Sequence, residues 1–188
     1  LINFDKFDAV VVASLPMVGM GDATAFEQVK EILRAKCRKP VVCLDLPIDD
    51  YATVYTDDTV AFRKITAHVL DVHKCKRIYF LAGSQNEGVI DYRLKGFREE
   101  MAHRGITVND EYIFFGDFWY PSGNALAERL VSGELEMPDA VICASDHMAL
   151  GLVNTLAKNG ISVPEKLIVT GFDATQEAVV NEISLTSY

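Results

Sequence analysis

The sequence predicts an α/β protein built on doubly wound parallel sheets, and three observations carry that expectation. Short, continuously apolar runs rich in β-branched residues recur along the chain: VVVA, VVCL, IYFL, VICA and LIVT. Unbroken apolarity, in place of polar–apolar alternation, marks parallel strands covered on both faces. Between these runs lie longer segments with apolar residues three and four positions apart, the spacing of an amphipathic helix. Several of those segments close on a glycine, a common helix stop. Strict β–α alternation then implies right-handed crossovers, with ligands bound beyond the carboxyl ends of the strands.

Taken in order, DAVVVAS at 8–14 reads as the first strand, and FEQVKEILRAKC at 26–37 as a helix with Phe26, Val29, Ile32 and Leu33 on its apolar face. PVVCLDL at 40–46 is the next strand. VAFRKITAHVLDVH at 60–73 is a helix with Phe62, Ile65, Val69 and Leu70 inward. RIYFLAG at 77–83 is a strand, and YRLKGFREEMAHRG at 92–105 is a helix with a glycine stop. YIFFG at 112–116 is a short strand, and GNALAERLVSG at 123–133 a helix between glycines. DAVICAS at 139–145 is a strand, and the helix at 146–160 opens on Asp146 as candidate N-cap. LIVTGF at 167–172 is a strand and ATQEAVVNEI at 174–183 is helical.

One segment breaks the rhythm. LPIDDYATVYTDD at 46–58 is Asp-rich, lacks helical periodicity and exceeds an ordinary βα loop. It reads as a passage between two α/β lobes, with VYT at 54–56 as a crossing strand. The expected division is a partial first lobe with its crossing segment at 1–58, a second lobe at 59–183, and a return crossing segment at 184–188.

With 49% hydrophobic residues among 188, a real core is available. The net charge of −9 argues against direct binding to duplex DNA, which rests on Lys and Arg neutralising phosphates. The four cysteines form no CxxC pair, and Cys43 and Cys143 lie inside apolar runs. They read as reduced, buried thiols of a cytoplasmic protein. Cys75 with His68 or His73 lacks metal-ligand spacing, so no metal and no cofactor are expected. No apolar run approaches the roughly 20 residues of a membrane span.

Enzyme signatures are missing from the sequence: no GxSxG elbow, no Walker A loop, no HExxH. Gly19-Met20-Gly21 is followed by Thr24 where a dinucleotide loop wants Gly or Ala. Asp49-Asp50 and Asp57-Asp58 suggest a phospho-acceptor pocket, yet Phe172-Asp173 stands where such a pocket needs lysine. Solvated turns explain the doublets better, and no catalysis is expected.

The binding candidates lie just after strands: Ser14, Asp45, the stretch 83–88, the stretch 116–120, Ser145, Asp146 and Asp173. Arg93 follows a SQNEG loop near the start of a helix, where a guanidinium can fork onto a carboxylate or a pair of hydroxyls. The competing reading is an exposed or structurally paired arginine. Phe118-Trp119-Tyr120 precede a Pro-Ser-Gly turn, where aromatic faces stack on sugar rings or bases; a plug over the sheet end is the alternative. Ser145 can hydrogen-bond a ligand, and Asp173 can accept from ligand hydroxyls or serve as a turn residue.

RLKGF at 93–97, SDHMALG at 145–151, GISVPEKLIVTGFD at 160–173 and SLTSY at 184–188 occur in an order and spacing that resemble the lactose-repressor/galactose-repressor (LacI/GalR) family. The likeness runs from about Asp8 to the last residue. It implies a type I periplasmic-binding-protein-like fold, two α/β lobes joined by crossing segments, and an effector, by default a sugar, between them. By motif position, effector contacts fall on Arg93, Ser145 and Asp173, with Phe118 as a stacking aromatic and Trp119 beside it. Asp45 and Asp57 take first-lobe and crossing positions. Ser145 stands where Asn is common in the family, Ala174 where a second Asp is common, and Thr56-Asp57-Asp58 matches the usual Asp-Asn only loosely. The resemblance further implies a homodimer, DNA contact only through a separate N-terminal head, and an incomplete first lobe, since family members carry further strand–helix units at both ends. The same sensor fold coupled to another output, an AraC-type regulator, a cyclase or a kinase, or a sugar-uptake binding protein, is the alternative.

Overall fold

The computed structural model describes residues 2–13, 23–45, 47–48, 50–84, 88–180 and 185–188. Ser14, the loop with Gly19-Met20-Gly21, Asp49, most of SQNEG and positions 181–183 of the expected last helix lie outside them. The chain is α/β with every strand pairing parallel, as the apolar runs predict. It divides into two compact units, one within Leu1–Asp57 and the other comprising Asp58–Gln85 and Val89–Tyr188. Among the described residues, no helix is long and apolar enough to cross a membrane.

The first unit holds β1 (Val10–Ala13), α1 (Ala23–Lys36), β2 (Val41–Leu44) and β3 (Ala52–Val54), with sheet order β1-β2-β3. Its core joins Val12, Val41 and Cys43 of the sheet to Leu33 of α1 and to Phe4, Cys37 and Ile48. Three expectations need correction. The crossing strand at 54–56 lies two residues earlier, and Cys43 pairs with Thr53, so it is a third member of this sheet and not a lone connector. The strand β1 is not covered on both faces: Val12 is buried while Val11 is 65% exposed, an alternation that follows from burial of one face only. Ile32 is likewise exposed, so the apolar stripe of α1 runs through Phe26, Val29 and Leu33.

The second unit contains α2 (Asp58–Asp71), β4 (Ile78–Ala82), α3 (Gly88–His103), β5 (Ile113–Phe115), α4 (Tyr120–Val131), β6 (Ala140–Cys143), α5 (Asp146–Lys158), β7 (Ile168–Thr170) and α6 (Gln176–Val180). Strands β4 and β6 are buried along their whole length, matching their unbroken apolar sequence. The expected inward residues of α2 (Phe62, Ile65, Val69 and Leu70) all reach the core. At Gly123, a Cβ would meet the carbonyl oxygen of Met148 at 2.0 Å, so only glycine lets α4 and α5 approach this closely.

Helix starts differ from the sequence expectation. Helix α3 begins at Gly88, which puts Arg93 in its second turn. Helix α4 begins at Tyr120, because the Pro-Ser-Gly segment is its first turn and not a loop; proline suits the first turn of a helix, where its missing N–H has no partner to lose. Ser145 caps α5, its hydroxyl accepting the Met148 N–H at 3.2 Å, so Asp146 is left for another task.

The sheet order is β5-β4-β6-β7. The chain leaves β4 for β5 on one side and later leaves β6 for β7 on the other. The direction of winding therefore reverses between β4 and β6, and the crevice at their carboxyl ends is where an open α/β sheet accommodates a ligand. The segment 185–188 runs beside β7, with Thr186 bridging Thr170 in parallel and accepting the Gly171 N–H at 2.9 Å.

Candidate functional site

Arg93 reaches that reversal point. Its Nε donates to Asp58 Oδ2 at 2.8 Å, and its Nη1 donates to the carbonyl oxygen of Ala144, directly after β6. Its Nη2 stands 3.8 Å from Asp173 Oδ1, an ion pair too long for a hydrogen bond. The guanidinium also lies 4.3 Å from the centre of the Phe172 ring and 5.6 Å from that of Phe118. Only 7% of the residue is exposed, so the reading of Arg93 as a solvated helix arginine is overturned. A structural pair is part of the answer, since Asp58 holds one edge of the guanidinium. The Nη2 edge makes no hydrogen bond among the described residues and points toward Asp173.

Asp173 sits at the rim with 42% of its side chain exposed, in a left-handed conformation (φ 99°) that a non-glycine residue rarely adopts. Its N–H donates to the Tyr188 carbonyl at 3.1 Å, which fixes the turn. Burial of its carboxyl pushes the pKa up to about 6; Arg93 and His147 pull the other way, while Asp146 and Asp58 add to the rise.

Phe118 also has a positive φ, 68°. Its ring lies over Gly83, where a Cβ would come within 2.2 Å of a ring carbon. Glycine at the end of β4 therefore makes the seat for this ring. Ser145 holds the same turn from below, donating its hydroxyl to the Phe118 carbonyl at 2.8 Å while capping α5. It is 2% exposed, so its hydroxyl works inside the protein. Trp119, in contrast, is 56% exposed.

The second unit thus brings together Arg93, Asp173, Ser145, Phe118 and Trp119. Asp45 and Asp57 belong to the first unit and are not in this group. Asp45 is exposed and left-handed (φ 71°), its N–H bonded to the Val54 carbonyl; Asp57 is exposed.

Sequence reasoning missed Asp58 and Phe172, and it offered Asp146 as a cap or ligand contact where the structure gives it another role. Asp58, not its neighbour, supplies the carboxylate to Arg93; the acidic doublet was a signal, but nothing in it says which member turns inward. Phe172 offers its ring face to Arg93. Asp146 is fully buried, accepting the Thr175 N–H and the Ser187 hydroxyl at 2.7 Å each, and so anchors the turn bearing Asp173 to the segment 185–188.

All four cysteines are buried and free, and burial raises the pKa of Cys75 and Cys143, which keeps both thiols protonated. Among the described residues, no three His, Cys, Asp or Glu side chains gather as a metal site. Chemically, the Arg93 group offers one donor edge, one acceptor carboxylate at the rim and an aromatic face, a set suited to a ring that carries hydroxyls.

Comparison with known proteins gives the family. The periplasmic binding protein-like domain family matches residues 67–188. The chain is 36% identical over 131 residues to the HTH-type transcriptional repressor CytR of Escherichia coli, covering 69% of this chain and 36% of that protein. It is 34% identical over 113 residues to catabolite control protein A of Priestia megaterium, covering 60% of this chain and 34% of the relative. The chain therefore spans about a third of the length of these two relatives. In fold it is similar to a regulatory protein of the LacI family from Chloroflexus aggregans, with a TM-score of 0.79 at 23% identity over 97% of this chain and 63% of the other. This chain belongs to the periplasmic binding protein-like domain family.

Proposed function

We propose that this chain is the effector-sensing part of a LacI-type transcriptional regulator and binds a small, hydroxyl-rich molecule of the sugar class around Arg93. One observation carries the reading: a buried arginine at the winding reversal, with one edge held by Asp58 and the other directed at the half-exposed Asp173, between aromatic rings. One cation beside two carboxylates leaves no net positive charge, which favours a neutral polyol over a phosphorylated ligand. Ser145 acts as a positioning residue for Phe118.

Function here is binding and not catalysis. Effector affinity that differs between two conformations shifts their populations and so reaches the DNA. The DNA contact belongs to a separate head domain, since this segment carries a net charge of −9. Homodimeric assembly and a cytoplasmic location, suited to free buried thiols, complete the proposal.

The test is a thermal-shift screen of monosaccharides and disaccharides, followed by calorimetry on Arg93→Ala. A true effector raises the melting temperature because it binds only the folded state. Arg93→Ala abolishes that rise while the protein remains folded. Unchanged affinity in the variant removes the basis of the reading.

A further inference from the structure

The Arg93 guanidinium is held at two points, by the hydrogen bonds from Nε to Asp58 and from Nη1 to the Ala144 carbonyl. A plane held at two points can still tilt about the line through them, and Nη2 would swing with it. A ring face laid against the plane removes that freedom. Phe172 supplies it, with its ring centre 4.3 Å from the guanidinium carbon.

Phe172 is in turn held from further out. The Tyr188 ring lies parallel to it, with planes inclined by 4° and centroids 6.1 Å apart, the offset arrangement that aromatic pairs favour. Lys64 closes the row. Its ammonium stands 5.3 Å from the centre of the Tyr188 ring and donates to the phenol oxygen at 3.3 Å. The fully buried Phe62 packs against Phe172 with centroids 5.0 Å apart. The backbone keeps Tyr188 in register: Thr186 accepts the Gly171 N–H at 2.9 Å, and the Tyr188 carbonyl accepts the Asp173 N–H at 3.1 Å. Tyr188 is still 45% exposed, so burial alone does not dictate where its ring lies. Helix α2 thus supplies both ends of the arrangement, Asp58 at the guanidinium and Lys64 at the outermost ring.

We infer that Tyr188 and Lys64 are positioning residues for Arg93: the row Lys64–Tyr188–Phe172 sets the tilt of the guanidinium and so aims its Nη2 donor at the rim where Asp173 stands. Engagement of a ligand by that donor then depends on side chains that lie beyond Phe172. This inference rests on the reading of Arg93 as the residue that engages the effector.

The experiment uses the whole chain without ligand and follows the Arg93 Nε–H resonance by NMR, identified by its absence in Arg93→Lys. Phe172→Leu removes the ring face and defines the direction in which the resonance moves. Tyr188→Ala should move it part of the way in that direction, Lys64→Gln a smaller part, and Tyr188→Phe, which keeps the ring, should leave it near its native position. The Gly171 amide, which reports on docking of the 185–188 segment, should stay protected from exchange in all three. Any sugar that raises the melting temperature of the native protein should bind Tyr188→Ala roughly two- to tenfold more weakly and Lys64→Gln roughly two- to fivefold more weakly. Two results overturn the inference. In one, Phe172→Leu moves the resonance while Tyr188→Ala and Lys64→Gln do not. In the other, Tyr188→Ala moves it only together with loss of Gly171 protection and Lys64→Gln leaves it in place, so that backbone docking and not the ring positions Arg93. If no sugar binds the native protein, the sugar reading falls, and the resonance still decides the row.

Discussion

Arg93 Nε donates to Asp58 Oδ2 at 2.8 Å across 35 residues of sequence, and both side chains are about nine-tenths buried. The pair fixes the guanidinium plane at the end of β6 before any ligand arrives. Removing one member of a buried pair leaves the other charged and unpaired, which costs about 3–5 kcal/mol. Asp58→Ala is therefore expected to lower unfolding stability by about 3 kcal/mol. Asp58→Asn, which keeps an acceptor oxygen, should lose less. Urea unfolding followed by circular dichroism checks both; equal, small losses would mean the pair is not positioning Arg93.

Asp173 gives a pH dependence with a definite sign. Its folded pKa, raised from 3.8 to about 6, means that folding favours the protonated acid. The associated stability is fully present below pH 3.8, declines between 3.8 and about 6, and is gone above that range. Asp173→Asn mimics the neutral form at every pH. Its stability relative to the native protein should therefore rise as pH increases through this window. Binding runs the other way, because a hydroxyl-rich ligand needs the carboxylate as acceptor, so affinity should fall as pH drops through about 6. Calorimetry and unfolding at pH 5 and pH 7.5 separate the two effects.

Much of the fold was legible because continuous apolar runs and helical periodicity are local signals. The elements of the second unit fall where VVCL-like runs and amphipathic segments place them, and Arg93, Phe118 and Asp173 do converge. What failed was tertiary or ambiguous. Pro121 terminates one kind of segment and starts another, and only packing of α4 on α5 decides. Ser145 and Asp146 are both good caps, and burial assigned the cap to the serine and the network to the aspartate. The choice of Asp58 over Asp57, and the approach of Phe172 to Arg93, depend on contacts 35 and 79 residues distant, which no local pattern encodes.

Gly83→Ala tests the seat of Phe118. A Cβ there meets the ring at 2.2 Å, so the ring must leave its place beside Arg93. The expected loss of stability is about 1–3 kcal/mol, as for other overpacked sites, with weaker effector binding. In the Phe118→Ala background the same change should do little, because the clash partner is gone. A double-mutant cycle measures that coupling; additive losses would show that Gly83 acts through something other than this ring.

Asp146 ties the rim to the end of the described chain. Both carboxylate oxygens are taken, by the Thr175 N–H and the Ser187 hydroxyl, and Gly171 and Asp173 donate their N–H groups to Thr186 and Tyr188. Asp146→Ala takes the acceptor from two part-buried donors, a loss of about 1–3 kcal/mol in all. Because those donors serve the 171–175 turn and the 185–188 segment, the loss should be local before it is global. Hydrogen exchange should therefore show the Gly171 and Asp173 amides losing protection ahead of those in β4 and β6. Uniform loss across the sheet would mean that Asp146 supports the whole unit, and that Asp173 is placed by its own strained turn instead.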